Sequence, residues 1–230
     1  MEKERKVLAI IPSYNVERTI GNVLDGIKYI VDGVIVVNDG SYDRTRQIAE
    51  DKKVKILDHS KNMGLGFALR TGFKEAIDSD FDAVITIDGD GQHGIEDIAN
   101  IVKIYKEKGI PVIIGSRLKN KEEWKNFPKA RLLGNLIMTF LTNLACGRKV
   151  TTDSQSGLRL IEREVLKKME LKSKRMEISS EIILEIHRNK FPIFEVPIKA
   201  IYKEEKSNYR VILDSLRILF LIISRIFQKA

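Results

Sequence analysis

Ala83-Val84-Ile85-Thr86-Ile87-Asp88-Gly89-Asp90-Gly91-Gln92-His93 is the stretch from which the rest of the chain is read. Its first five residues are uncharged and rich in β-branched side chains, the composition of a buried strand, and carboxylates arrive only where that strand should stop. Charge is thereby delivered to the strand's carboxyl end, which in open α/β sheets is the ligand-binding edge. Side chains alternate along extended backbone, so Asp88 and Asp90 can point the same way. Two carboxylates on one side suit Mg2+ or Mn2+, which take oxygen ligands and leave room for waters and phosphates. A polar turn with acidic helix caps would use the same residues.

Outward from that stretch, apolar β-branched runs alternate with helical patterns. Val7 to Ile11 reads as a first strand ending at Pro12-Ser13-Tyr14-Asn15, followed by a helix from about Arg18 to Ile30. Val34 to Val37 runs into Asn38-Asp39-Gly40-Ser41, with Ser41, Asp43 and Thr45 expected to cap the next short helix. Val54 to Leu57, the helix Gly66 to Ile77, the opening stretch, the helix Ile95 to Glu107 and the strand Val112 to Ile114 complete the series. Strands spaced by such helices imply right-handed crossovers and a mostly parallel central sheet flanked by helices.

The 230 residues allow one large domain with a real core. Hydrophobic residues make up 43% and charged residues 31%, which argues for a folded protein rather than long disorder. Forty Lys and Arg against 32 Asp and Glu leave a net charge of +8, favouring anionic partners. No basic run is interleaved with aromatics, so nucleic acid is not expected as a partner. Cys146 is the single cysteine and is expected to be a buried thiol without a disulfide. The apolar run after the charged Met1 to Arg5 stops at Pro12, so neither a signal peptide nor an N-terminal anchor is expected.

Asn62-Met63-Gly64-Leu65-Gly66-Phe67-Ala68-Leu69 begins like a dinucleotide fingerprint, but Leu69 stands where the third glycine or alanine belongs. A glycine loop beside a phosphate, or a tight start to a helix, fits better. Polar clusters close three strands: Pro12 to Asn15, Asn38 to Ser41 and Asp88 to His93. That combination resembles the family 2 glycosyltransferases of GT-A fold. The resemblance implies nucleotide contacts from Pro12, Tyr14, Glu17, Asp39, Gly66 and Asp88. It also implies metal ligation by Asp88 and Asp90 with Gln92 as a third contact, and transfer from a nucleoside-diphosphate sugar that is UDP- or GDP-linked.

Downstream, Gly115-Ser116-Arg117, Arg131 and Asp153-Ser154-Gln155-Ser156-Gly157-Leu158-Arg159 look like the pattern of dolichyl-phosphate mannose synthases and related polyprenyl-phosphate sugar transferases. The implied acceptor is a polyprenyl phosphate, with Arg117 and Arg131 as phosphate clamps and Asp90 and Asp153 completing the catalytic set. Guanidinium groups suit that role because they bind phosphate oxygens in bidentate fashion and stay charged. Tyr202-Lys203-Glu204-Glu205-Lys206-Ser207-Asn208 departs from the mannose synthase pattern and leaves the sugar open. The alternatives are a family 2 enzyme acting on a sugar hydroxyl, a non-catalytic nucleotide-sugar binder, and an aspartyl phosphatase. In phosphatases the Asp-x-Asp pair follows the first strand and continues with Thr or Val, whereas here it lies mid-chain and continues with Gln92.

Two apolar segments remain. Leu132, Leu133, Leu136, Ile137, Phe140, Leu141 and Leu144 recur at helical spacing beside Asn135, Thr139, Thr142 and Asn143, which suits a core helix or one lying in a membrane surface. Residues 1–206 are expected to form the GT-A domain, and 207–230 a C-terminal amphipathic or docked helix with Arg210, Arg217 and Arg225 on one face. Its apolar run, Ile218 to Ile223, is too short to span a bilayer. The expected location is therefore peripheral, at the cytoplasmic face of the membrane, with a membrane-protein partner or homo-oligomer as a further expectation.

Overall fold

The computed structural model describes residues 4–202, so the expected C-terminal helix and its arginines lie outside the described residues. The strands are β1 (Val7–Ser13), β2 (Gly33–Asn38), β3 (Lys55–Asp58), β4 (Ala83–Thr86), β5 (Val112–Ser116), β6 (Arg159–Glu162) and β7 (Phe194–Pro197). They form one sheet in the order β3-β2-β1-β4-β6-β5-β7. The pairs β1·β2, β1·β4, β2·β3 and β5·β7 are parallel, whereas β6 runs antiparallel between β4 and β5. The expected mostly parallel sheet is present, with one antiparallel insertion that sequence patterning did not anticipate.

Helices α1 (Ile20–Ile27), α2 (Thr45–Asp51), α3 (Leu65–Ile77), α4 (Ile95–Lys108), α5 (Lys129–Cys146), α6 (Arg163–Leu166) and α7 (Ile178–Arg188) cover both faces. β1 shows why the sheet is buried on both sides. Val7, Ala9 and Ile11 join one apolar cluster with Ile20, Val23 and Leu24 of α1 and Ile98, Ile101 and Tyr105 of α4. Leu8 and Ile10 face the opposite cluster, with Leu69 and Phe73 of α3 and Ile178, Ile182 and Ile186 of α7. Period-two alternation in a strand apolar at every position thus feeds two cores at once.

Of the expected caps of α2, Asp43 is one, its Oδ1 accepting the Thr45 N–H at 2.9 Å. Ser41 Oγ, Thr45 Oγ1 and the other Asp43 oxygen, Oδ2, accept the backbone N–H groups of Asn15, Val16 and Glu17, at 3.0, 2.8 and 3.1 Å. Asn15 has φ 54°, and a turn of that shape leaves consecutive N–H groups that must find acceptors outside it. The loops after β1 and β2 are thereby one hydrogen-bonded unit. Thr19, which precedes α1, adds the loop after β4 by donating its hydroxyl to the Gly89 carbonyl at 2.7 Å. Three strand ends are fixed against one another.

Candidate active site

On the β1 and β2 side, Tyr14 meets Tyr42 edge-on at 6.2 Å between ring centroids. Pro12 lies in the last turn of pairing between β1 and β2, opposite Val37. Glu17 is exposed, and its Oε2 accepts the Arg44 N–H at 3.1 Å. Asp39 is buried. Its Oδ1 takes His59 Nδ1 at 2.7 Å and the Met63 N–H at 2.9 Å, and its Oδ2 takes the Gly64 N–H at 2.7 Å. A carboxylate offers about four acceptor sites, and three of those on Asp39 are taken. Because a carboxylate only accepts, His59 donates to Asp39 through Nδ1, and its Nε2 meets the Thr71 hydroxyl at 3.0 Å. Gly66 is the second residue of α3, where a Cβ would meet the Ser173 carbonyl oxygen at 2.6 Å. Close approach of two backbones therefore accounts for this glycine without a phosphate.

Beyond β4, Asp88 meets His93 and the backbone of Gly157. His93 Nδ1 accepts the Asp88 N–H at 3.2 Å, which leaves the proton on Nε2, 3.5 Å from Asp88 Oδ2. Burial pulls the His93 pKa down to about 4, so the imidazole is neutral near pH 7. Burial pushes the Asp88 carboxyl up, against the opposing charges of Arg117 and Arg159. A Cβ on Gly157 would collide with both Asp88 oxygens. Asp90 Oδ1 accepts the Gln92 N–H at 3.0 Å, closing the turn that carries both residues. Among the described residues no three of His, Cys, Asp and Glu converge into a closed metal cage. Asp88, its side chain 37% exposed, and Asp90 are oxygen donors of the kind a divalent cation takes alongside water.

Beyond β5, Arg117 forks onto Asp153, with Nε to Oδ2 at 2.8 Å and Nη2 to Oδ1 at 3.0 Å. Asp153 is fully buried, and the Arg117 side chain is 16% exposed. Burial alone would lower the arginine's pKa, but the Asp153 charge and hydrogen bonds raise it above the usual value. Two of the five side-chain N–H groups of Arg117 are thus committed to Asp153. Arg117 also lies over the Phe127 ring at 5.8 Å, while Arg131, in the first turn of α5, lies over Tyr202 at 5.4 Å. The two rings touch, 4.9 Å between centroids. Both guanidiniums therefore rest on one aromatic pair.

The sequence of this chain matches the profile of Glycosyl transferase family 2 over residues 8–170. The chain belongs to this family. Among related proteins, family 2 relatives include an uncharacterized protein of Methanocaldococcus jannaschii, 40% identical over 96% of this chain and 93% of its own. A UDP-N-acetylglucosamine–dolichyl-phosphate N-acetylglucosaminyltransferase of Methanococcus voltae is 38% identical over 87% of this chain and 88% of its own. A dolichol-phosphate mannosyltransferase of Pyrococcus furiosus is 31% identical over 84% of this chain and 55% of its own. Among solved structures, the glucosyl-3-phosphoglycerate synthase of Mycobacterium tuberculosis, in complex with Mn2+ and UDP-glucose, superposes with a TM-score of 0.77 at 18% identity. That match covers 96% of this chain and 79% of the synthase. The fold is GT-A, as the strand ends implied.

Two further residues bear on this family 2 site, Arg159 at the end of the motif that begins at Asp153, and Glu195, which no motif marked. Arg159, the first residue of β6, is buried between β4 and β5, opposite Thr86 and Ile114. Burial pulls its guanidinium down to about 10, still cationic at neutral pH, while Asp153 and Asp88 oppose the shift. Its Nη2 donates to the Ser154 carbonyl at 2.9 Å, and its Nε has no hydrogen-bond partner among the described residues. Glu195 of β7 accepts from the Thr151 hydroxyl and from the Thr152 N–H and hydroxyl, at 2.6 to 2.9 Å, fixing the loop that delivers Asp153. The motif from Asp153 to Arg159 pointed to this loop and included Arg159, but neither the burial of Arg159 nor the part of Glu195 could be read from it.

Proposed function

We propose that this chain transfers a sugar from a nucleoside-diphosphate sugar to a polyprenyl phosphate, with inversion at the anomeric carbon and dependence on a divalent cation. The observation that carries the reading is the pair of guanidiniums, Arg117 and Arg131, resting on the Phe127–Tyr202 pair beside the Asp88 edge. Support also comes from the relatives, whose names pair a sugar with a dolichyl or polyprenyl phosphate. The relative named for UDP-N-acetylglucosamine is 38% identical, against 26% and 31% for those named for mannose transfer, so UDP-N-acetylglucosamine is the first donor to test.

A phosphate monoester has its second pKa near 6, so close to neutrality it already carries a nucleophilic oxygen and needs no protein base. One of its oxygens forms the new bond to C1, the bond from C1 to the diphosphate oxygen breaks, and the nucleoside diphosphate departs with that electron pair. Arg117 and Arg131 would hold the dianion and align it behind C1. Asp88 and Asp90 would hold magnesium or manganese, whose chemistry is to neutralise charge on the departing diphosphate. A hydroxyl acceptor would instead need a positioned general base. The carboxylate of Asp153 is already forked onto Arg117, which favours the phosphate reading.

The test incubates the full chain with UDP- and GDP-sugars and a short-chain polyprenyl phosphate, with Mn2+ or with a chelator. Metal-dependent formation of a glycosylated lipid phosphate is the expected result. Nucleotide-sugar binding without transfer to any lipid phosphate would refute the proposal.

A further inference from the structure

α5 carries apolar side chains on its outward as well as its inward side. Leu133, Ile137, Phe140 and Leu144, at i, i+4, i+7 and i+11, form one stripe and are 60%, 45%, 66% and 57% exposed. The buried face packs Met138, Ala145 and Cys146 against Leu184 and also carries Thr139, Thr142 and the half-buried Asn143. Ser154 N–H donates to Thr139 Oγ1 at 3.0 Å, and the Thr142 and Ser180 hydroxyls are hydrogen-bonded at 3.0 Å. Asn143 bridges Val150 and Thr151, accepting the Val150 N–H at 2.8 Å and donating to the Thr151 carbonyl at 2.9 Å. Rolling the helix to bury its leucines would strand all of these polar groups, so the apolar stripe is held outward by the same loop that delivers Asp153.

Single exposed leucines are ordinary, but a continuous row of four large apolar side chains marks an interaction surface. Charge indicates which one. Residues 127–152 contain no Asp or Glu, and their four cations lie at the two ends of the row: Lys129 and Arg131 before it, Arg148 and Lys149 after it. Lys129, Arg148 and Lys149 are exposed. No described helix is long and apolar enough to cross a membrane, and α5 at 18 residues is about 27 Å long, suited to lying flat.

We propose that the exposed face of α5 docks on an anionic bilayer, its stripe at the acyl boundary and its flanking cations among headgroup phosphates. This rests on the lipid-phosphate reading above and extends it by naming the face that meets the membrane. Arg131 and Leu133 share one turn, so a phosphate at Arg131 lies within a helix diameter of about 10–12 Å from the stripe. That separation matches the roughly 5–10 Å to which interfacial helices bury their apolar side. The acceptor's phosphate and its acyl-like tail can then meet the protein without leaving the bilayer.

The test places an NBD fluorophore on full-length F140C, where the buried Cys146 is shielded from labelling. Vesicles of phosphatidylcholine and phosphatidylglycerol at roughly 7:3 should brighten and blue-shift the label, and high salt should shift the midpoint to more lipid. I137E/L144E should weaken vesicle binding ~10-fold or more while still using a short-chain polyprenyl phosphate in detergent. A label that ignores vesicles overturns the proposal. So does a label already apolar in lipid-free buffer and unchanged by vesicles, because a second copy or residues 203–230 would then cover the stripe. If the label responds but wild-type protein uses no lipid phosphate, the docking face stands and the acceptor reading falls.

Discussion

Breaking the Arg117–Asp153 fork should cost stability and transfer by separable amounts. Asp153→Asn keeps the shape but removes the charge, and only one of its two terminal atoms can still accept. Yet Asp153 receives four donors: Arg117 Nε, Nη2 and N–H, and the Gln155 N–H. The Asn amide nitrogen would face some of them donor to donor. Removing one partner of a buried pair costs about 3–5 kcal/mol. At about 2–4 °C per kcal/mol for a chain of this size, Tm should fall by roughly 6–20 °C. Arg117→Met should lose a comparable amount by leaving Asp153 unpaired. The double variant, Arg117→Met with Asp153→Leu, replaces the pair with apolar volume and should lose much less than the sum, a coupling on the order of a few kcal/mol. Urea unfolding of the four proteins, with acceptor kinetics on the same samples, measures both effects, and the double variant should regain stability without regaining transfer. Additivity within about 0.5 kcal/mol would refute the fork.

Gly157→Ala should act as though Asp88 itself were damaged, because the new Cβ collides with the Asp88 oxygens. Metal-dependent turnover should fall ~10-fold or more in both G157A and Asp88→Asn, and wild-type turnover of either would break the link. Arg131→Ala removes a charged contact worth about 1.5–3 kcal/mol, so acceptor KM should rise by one to two orders of magnitude. Donor KM should hold, and a reversed pattern in steady-state kinetics would move Arg131 to the donor side. His93 stays neutral in the fold down to about pH 4, whereas the unfolded chain protonates it near 6.5. Its contribution is therefore full above pH 6.5 and lost as pH falls toward 4, at most ~3 kcal/mol. The raised Asp88 works with the opposite sign, its contribution present at low pH and lost as pH rises through the folded value. His93→Gln removes only the histidine part, so its acid destabilisation between pH 6.5 and 4 should be shallower than wild type, and parallel denaturation curves would contradict this.

The sheet was legible because β1, β2, β4 and β5 are apolar runs closed by polar turns, a pattern that sequence order alone exposes. β6 was not, because Arg-Leu-Ile-Glu starts and ends on charge, and Arg159 is buried only by strands more than 40 residues away in sequence. α5 was legible as a helix but not in orientation. Periodicity locates an apolar stripe, whereas here hydrogen bonds from the loop at residues 150–154 decide which face turns inward. Asp88, Arg117 and Asp153 could be named from motifs. Gly157 pressing on Asp88, His59 on Asp39 and Glu195 on the 151–152 loop act between residues 20 to 69 positions apart, and no local spacing encodes them.

The central claim is that the acceptor brings its own nucleophile as a phosphate. Its most direct test offers equal concentrations of a short polyprenyl phosphate and the matching polyprenol, with UDP-N-acetylglucosamine and Mn2+, and identifies products by mass spectrometry. The account predicts a sugar joined to the lipid through phosphate and no glycosylated polyprenol. Transfer to the polyprenol at a comparable rate would show that the protein supplies the base, and would contradict the account.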